Sequence, residues 1–140
     1  MSLSYYASMK LSLSQEALKP AVCIIDGDPA VRAGLTYLCD SNGYGVVPFS
    51  TGSAFLRTLD QASHLDIHSV ICEAQLPDRS GVDLFLTLRR RGLDLPFALM
   101  VSGKTRACAH LAGQVGIKNI WRKPLLDSVP LSEFLSGCEV

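Results

Sequence analysis

Three absences narrow what this 140-residue chain can be. Net charge is missing: thirteen basic residues balance thirteen acidic ones, so a strongly basic nucleic-acid surface is not expected. Long apolar runs are missing as well. The longest, Leu95 to Val101, contains Pro96 and falls far short of the ~20 residues of a spanning helix, so no membrane contact is expected. Cysteine pairing signals are also missing. The five cysteines are odd in number, and Cys23, Cys39, Cys72, Cys108 and Cys138 include no CxxC spacing. A disulfide framework or zinc cage is therefore not expected, and the thiols read as small apolar residues of a reduced, cytoplasmic protein. His64, His68 and His110 lack ligand spacing. Met1–Lys10 has no basic start followed by a continuous apolar core, so no signal peptide is expected.

What is present suits one globular domain. Hydrophobic residues make up 48% of the chain and charged residues 19%, which excludes a disordered tail. Residues 1–20 are serine-rich without a clear period and are expected to be a mobile N-terminal extension. From Ala21 to Gly137 short apolar runs alternate with amphipathic stretches. Strands are predicted at 21–26, 44–49, 68–73, 96–102 and 118–122. The first helix is capped by Asp28 with Pro29 at its first position, carries Val31, Leu35, Leu38 and Cys39 on one face, and stops at Asn42-Gly43. The second spans about 51–61, with Phe55 and Leu59 inward. Ser80 caps the third, whose inner face is Leu84, Phe85 and Leu88 and which ends in Arg89–Arg91 and Gly92. Thr105 is expected to cap the fourth, with Ala107, Leu111 and Val115 on its inner face and Gly116 at its end. The last is interrupted by Pro130 and expected to begin properly near Leu131.

Five strands alternating with helices imply an α/β fold, a doubly wound parallel sheet covered on both faces. Ligands of such sheets bind beyond the carboxyl ends of the strands. Those ends carry Asp26, Glu73, Ser102 and Lys123, each a polar residue directly after apolar ones.

The fragments IIDGDPAVR, CEAQLPDRSG, VSG and WRKP, in that order and spacing, resemble the receiver domain of two-component response regulators over Ala21 to about Gly137. PAVR and the RRRG stretch resemble receivers that precede helix-turn-helix effectors; this chain shows no such motif, and one would follow Val140 in a longer protein. The resemblance implies the flavodoxin-like strand order 2-1-3-4-5 and a signalling module of a phosphorelay that is not an enzyme. It also implies a protein partner, such as a histidine kinase, an effector domain or a second copy, and a cis Lys123-Pro124 bond. In that family an aspartate at the third strand end accepts a phosphoryl group. Acids at the first strand end help hold Mg²⁺, and a Ser/Thr and a Lys contact the phosphoryl group.

Asp26, Ser102 and Lys123 match that pattern. Three positions depart from it: Glu73 at the phospho-acceptor-equivalent place, Gly27 in place of the second acid, and Ile120 at the aromatic switch position. A longer carboxylate and a lost metal ligand both act against phosphorylation. The expectation is therefore a pseudo-receiver with Mg²⁺ binding weak or absent, Asp26 being at most a weak site. An ion pair between Glu73 and Lys123 is expected, and Glu73 can approach Ser102 as a partial phosphoryl mimic or sit in a silent, self-satisfied pocket. Trp121 is either core or an anchor on the face of the fourth helix, fifth strand and fifth helix. One alternative is a phosphorylation-competent receiver. Another is a small flavin- or nucleotide-binding enzyme on the same architecture, disfavoured because GDPAVRAG is poor in glycine and places an acid where phosphate would approach.

Overall fold

The computed structural model describes residues 21–61 and 66–137. The expectations for the extension at 1–20, for His64 and for Cys138 lie outside the described residues. Among the described residues five strands and five helices alternate: β1 (Ala21–Ile25), α1 (Pro29–Ser41), β2 (Gly45–Phe49), α2 (Gly52–Gln61), β3 (Ile67–Glu73), α3 (Gly81–Arg90), β4 (Phe97–Val101), α4 (Cys108–Val115), β5 (Asn119–Arg122) and α5 (Val129–Gly137). All strand pairings are parallel, and the sheet order is β2-β1-β3-β4-β5, as expected.

Alternation along the buried central strands divides the core in two. Cys23, Ile25, Val70, Cys72, Leu99 and Val101 point to one face, where they meet Phe55, Leu84, Leu88 and Ala112 of α2, α3 and α4. Val22, Ile24, Ile71, Ala98 and Met100 point to the other and meet Leu35, Cys39, Leu131, Phe134 and Leu135 of α1 and α5. Successive side chains on a strand face opposite ways, so continuous apolar strands require helices on both sides.

The helix ends follow local chemistry. Asp28 accepts a hydrogen bond from Ala30 N with Pro29 in the first turn, and Ser80 accepts one from Asp83 N. Gly43, Gly92 and Gly116 have φ of 88°, 76° and 106°, the left-handed conformation that closes a helix without a Cβ clash. Lys123-Pro124 is cis.

Three local expectations are corrected. Thr105 does not cap α4. Its hydroxyl turns back to accept from Ser102 N at 2.8 Å, and the helix begins later, after Ala107, without a side-chain cap. The inner face of α4 is consequently rotated: Ala112 is fully buried and Leu111 is 51% exposed, while Ala107 is exposed. The last helix starts at Val129, with Asp127 Oδ1 accepting from Val129 N at 2.9 Å. Pro130 falls in its first turn, where the missing N–H breaks no intrahelical bond.

Candidate functional site

The polar residues at the strand ends converge because the backbone ladder runs one residue past each strand. Asp26 N donates to Phe49 O at 3.0 Å, Ala74 N to Met100 O at 2.8 Å, and Lys123 N to Val101 O at 2.8 Å. These bonds fix Asp26, Lys123 and Glu73, the last residue of β3, at the carboxyl edge of the sheet, by the switch in strand order between β1 and β3.

There Lys123 stands between two carboxylates. Its Nζ lies 2.7 Å from Asp26 Oδ2 and 2.9 Å from Glu73 Oε1. Asp26 is 1% exposed; its Oδ1 accepts from Asp28 N at 2.9 Å, and Oδ2 has only the ammonium as a charged partner. Glu73 Oε2 accepts from Gly27 N at 3.3 Å. Burial opposes the charge on Lys123, but hydrogen bonds and attraction from Asp26 and Glu73 outweigh it and raise the ammonium above its ordinary value.

Ser102 reaches the rim and no further. Its backbone N–H and its hydroxyl both engage Thr105 Oγ1, the hydroxyl at 3.4 Å, and no hydrogen bond joins it to Glu73. Ile120 lies outside the pocket, half-buried against the core on the α2–α4 side. Its neighbour Trp121 is core: it is 8% exposed and packs edge-on against Phe134 at 5.3 Å. Cys72 adjoins Glu73, yet burial and then the nearby Glu73 and Asp26 charges push its thiol well up, so it offers no thiolate for chemistry.

Position 27 is tightly framed. A Cβ there would meet the Pro77 ring at 3.2 and 3.3 Å and Glu73 Oε2 at 3.9 Å. Two residues that the sequence reading missed support the same region. Arg32 Nη1 donates to Asp26 O at 2.7 Å; it lies four residues after Asp28, one helical turn, and so faces back to the strand end. Asp78 accepts from Gly52 N, Ser53 N and Ser53 Oγ at 3.0, 2.9 and 2.7 Å, capping α2 from a loop 26 residues away. Burial opposes its ionisation, but those donors hold it down to about 2. No local sequence signal marks a cap supplied from such a distance.

This architecture has many relatives. The sequence profile described as the response regulator receiver domain matches residues 22–132. The chain belongs to the response regulator receiver domain family. It is 28% identical over 109 residues to the transcriptional regulatory protein FixJ of Bradyrhizobium diazoefficiens, covering 78% of this chain and 52% of that protein. To FixJ of Azorhizobium caulinodans it is 30% identical over 107 residues, with coverages of 76% and 49%. The receiver chain thus spans about half the length of the curated relatives it matches. Among solved structures, a response regulator receiver protein from Pseudoalteromonas atlantica superposes with a TM-score of 0.74 at 26% identity, covering 86% of this chain and all of the other. The FixJ-N crystal structure superposes at 0.73 and 24% identity, with coverages of 89% and 98%, a likeness of fold. Among the described residues no helix of the receiver is long and apolar enough to cross a membrane.

Proposed function

We propose that this chain is a degenerate receiver, a two-component signalling module that acts by binding protein without the usual aspartyl phosphorylation. Glu73 stands at the phospho-acceptor-equivalent position, and Asp26, Gly27, Ser102 and Lys123 form the pocket around it. The observation that carries the reading is the commitment of both Glu73 oxygens, one to Lys123 Nζ and one to Gly27 N. An acceptor carboxylate must instead present an oxygen in line with an incoming phosphoryl group, and small misplacements are costly.

The donor set also suits a magnesium ion poorly. Mg²⁺ requires near-octahedral oxygen ligation, whereas Gly27 offers no side chain and an ammonium already bridges the Asp26 and Glu73 carboxylates. A standing mimic of the phosphorylated state is less well supported than a silent pocket, because Ser102 hydrogen-bonds Thr105 and not Glu73. Output then comes from the folded surface, offered to a histidine kinase, an effector domain or a second copy in the cytoplasm, with no direct nucleic-acid contact.

Incubation of the full chain with acetyl phosphate and Mg²⁺, followed by intact-mass measurement, tests the reading. The expected spectrum shows unmodified protein; a stoichiometric phosphoryl adduct overturns it.

A further inference from the structure

We propose that Asn42-Gly43 is a modification site, where the chain converts its own asparagine to an aspartyl or isoaspartyl residue at a rate set by opening of the contact between α1 and α5. The turn lies where α1 hands over to β2, apart from the strand-end pocket and independent of how that pocket is read.

The chemistry needs only water. Gly43 N gives up its proton and attacks Asn42 Cγ. The Cγ–Nδ2 bond breaks, and ammonia leaves with a proton returned by solvent. Water then opens the resulting five-membered imide at either carbonyl, which leaves the carboxylate on the side chain (aspartyl) or on the main chain (isoaspartyl). Glycine favours the first step because no Cβ shields its nitrogen. Both residues are exposed, and a Cβ built on Gly43 would meet nothing within 4 Å, so no neighbour blocks the attack.

Hydrogen bonds hold the reaction back. Asn42 sits at a ψ of 5°, and ring closure requires ψ to leave that value so that Gly43 N swings towards Cγ. The rotation breaks the bonds from Gly43 N to Asp40 O at 2.9 Å and from Tyr44 N to Cys39 O at 3.0 Å. The side chain is pinned as well. Its Nδ2 donates to Leu38 O at 2.7 Å, and its Oδ1 accepts from Ser132 Oγ of α5 at 3.3 Å, 90 residues along the chain. Tyr44 Oη donates to Leu135 O at 3.2 Å, so one turn is tied twice to α5. Exposed bonds of this kind open locally, without global unfolding.

Conversion is not neutral. A carboxylate oxygen in place of Nδ2 would face the Leu38 carbonyl, acceptor against acceptor. It would also put negative charge at the negative end of α1, whose last turn holds no basic residue. The isoaspartyl form adds a methylene to the main chain between α1 and Tyr44. A modified chain therefore holds α5 less firmly against α1.

The full chain is kept in warm, mildly alkaline buffer, and mass spectrometry of the Asn42 peptide follows amide turning to acid. Wild type, Ser132→Ala and Asp78→Ala are each compared natively and in denaturing urea. Native wild type should convert measurably, at least ~10-fold more slowly than in urea. Ser132→Ala should convert about 2–5-fold faster than wild type natively, and at the same rate in urea. Asp78→Ala, which loosens the distant cap of α2, should stay within ~1.5-fold of wild type. Asn42→Asp should melt roughly 3–6 °C below wild type.

A native rate equal to that in urea overturns the proposal, and so does an undetectable one. Equal native rates for Ser132→Ala and wild type overturn it too. An Asp78→Ala rate raised as far as that of Ser132→Ala overturns it as well, because the opening would then be global. An Asn42→Asp protein as stable as wild type refutes the loosening of α5.

Discussion

Replacing Lys123 by Met tests the energetics of the pocket directly. The substitution keeps most of the apolar stem and removes the charge, leaving Asp26 at 1% exposure with no cation beside Oδ2. Removing one partner of a buried ion pair costs about 3–5 kcal/mol, because the other charge stays behind uncompensated. Here the figure belongs near the lower end, about 3 kcal/mol. Asp26 keeps its bond from Asp28 N, and Glu73 is open enough to hydrate.

Urea denaturation at pH 7, in chelator, should therefore show a loss of ~3 kcal/mol. Adding Asp26→Asn should restore much of it, since the amide carries no charge to strand. The pH dependence has a fixed sign. Lys123 is raised above its ordinary 10.5 in the folded state, so its contribution is complete below that value and fades as pH rises through the higher folded-state one. The gap between wild type and Lys123→Met should narrow above pH 10.5 and stay level between pH 7 and 9. A loss below about 1 kcal/mol at pH 7 would refute the argument, because it would mean that Asp26 is solvated or neutral without its partner.

Two further outcomes follow from contacts elsewhere. A Cβ on Gly81 would stand 2.5 Å from Glu73 O and 2.6 Å from Leu99 Cδ1, whereas one on Gly34 meets nothing within 4 Å. Gly81→Ala should cost more than about 3 kcal/mol or prevent folding, and Gly34→Ala in the exposed face of α1 should stabilise by ~0.5–1 kcal/mol, both read by thermal unfolding. Asp78→Ala removes the cap of α2 and should cost about 1 kcal/mol at pH 7, a figure kept modest by the partial exposure of the carboxylate. Asp78 is depressed from 3.8 to about 2, so its contribution is present above 3.8 and lost as pH falls towards 2; urea midpoints for the two proteins should converge there.

Much of this molecule was legible in its sequence because the determinants are local. Short apolar runs of strand length, Asp28-Pro29, Asn42-Gly43, Ser80 and Gly116 act through neighbours a few residues away, and each does in the structure what its chemistry dictates. The strand-end rule picks out Asp26, Glu73 and Lys123, and the expected Glu73–Lys123 pair is present. The start of α4 was misread because Thr105 has two backbone groups within reach and bonds the one behind it, Ser102 N. The helix begins two residues later than that cap implies, and its buried face carries Ala112 in place of Leu111.

The sequence by itself determined the element types, their alternation and the polarity of the strand ends, since periodicity and capping are properties of adjacent residues. Only the tertiary structure decided how charge is shared: that one ammonium serves both Asp26 and Glu73, that Ser102 turns to Thr105, and that Asp78 caps a helix 26 residues before it. Those contacts depend on distances between segments remote in the chain, and sheet order and crossover set such distances where no local pattern records them.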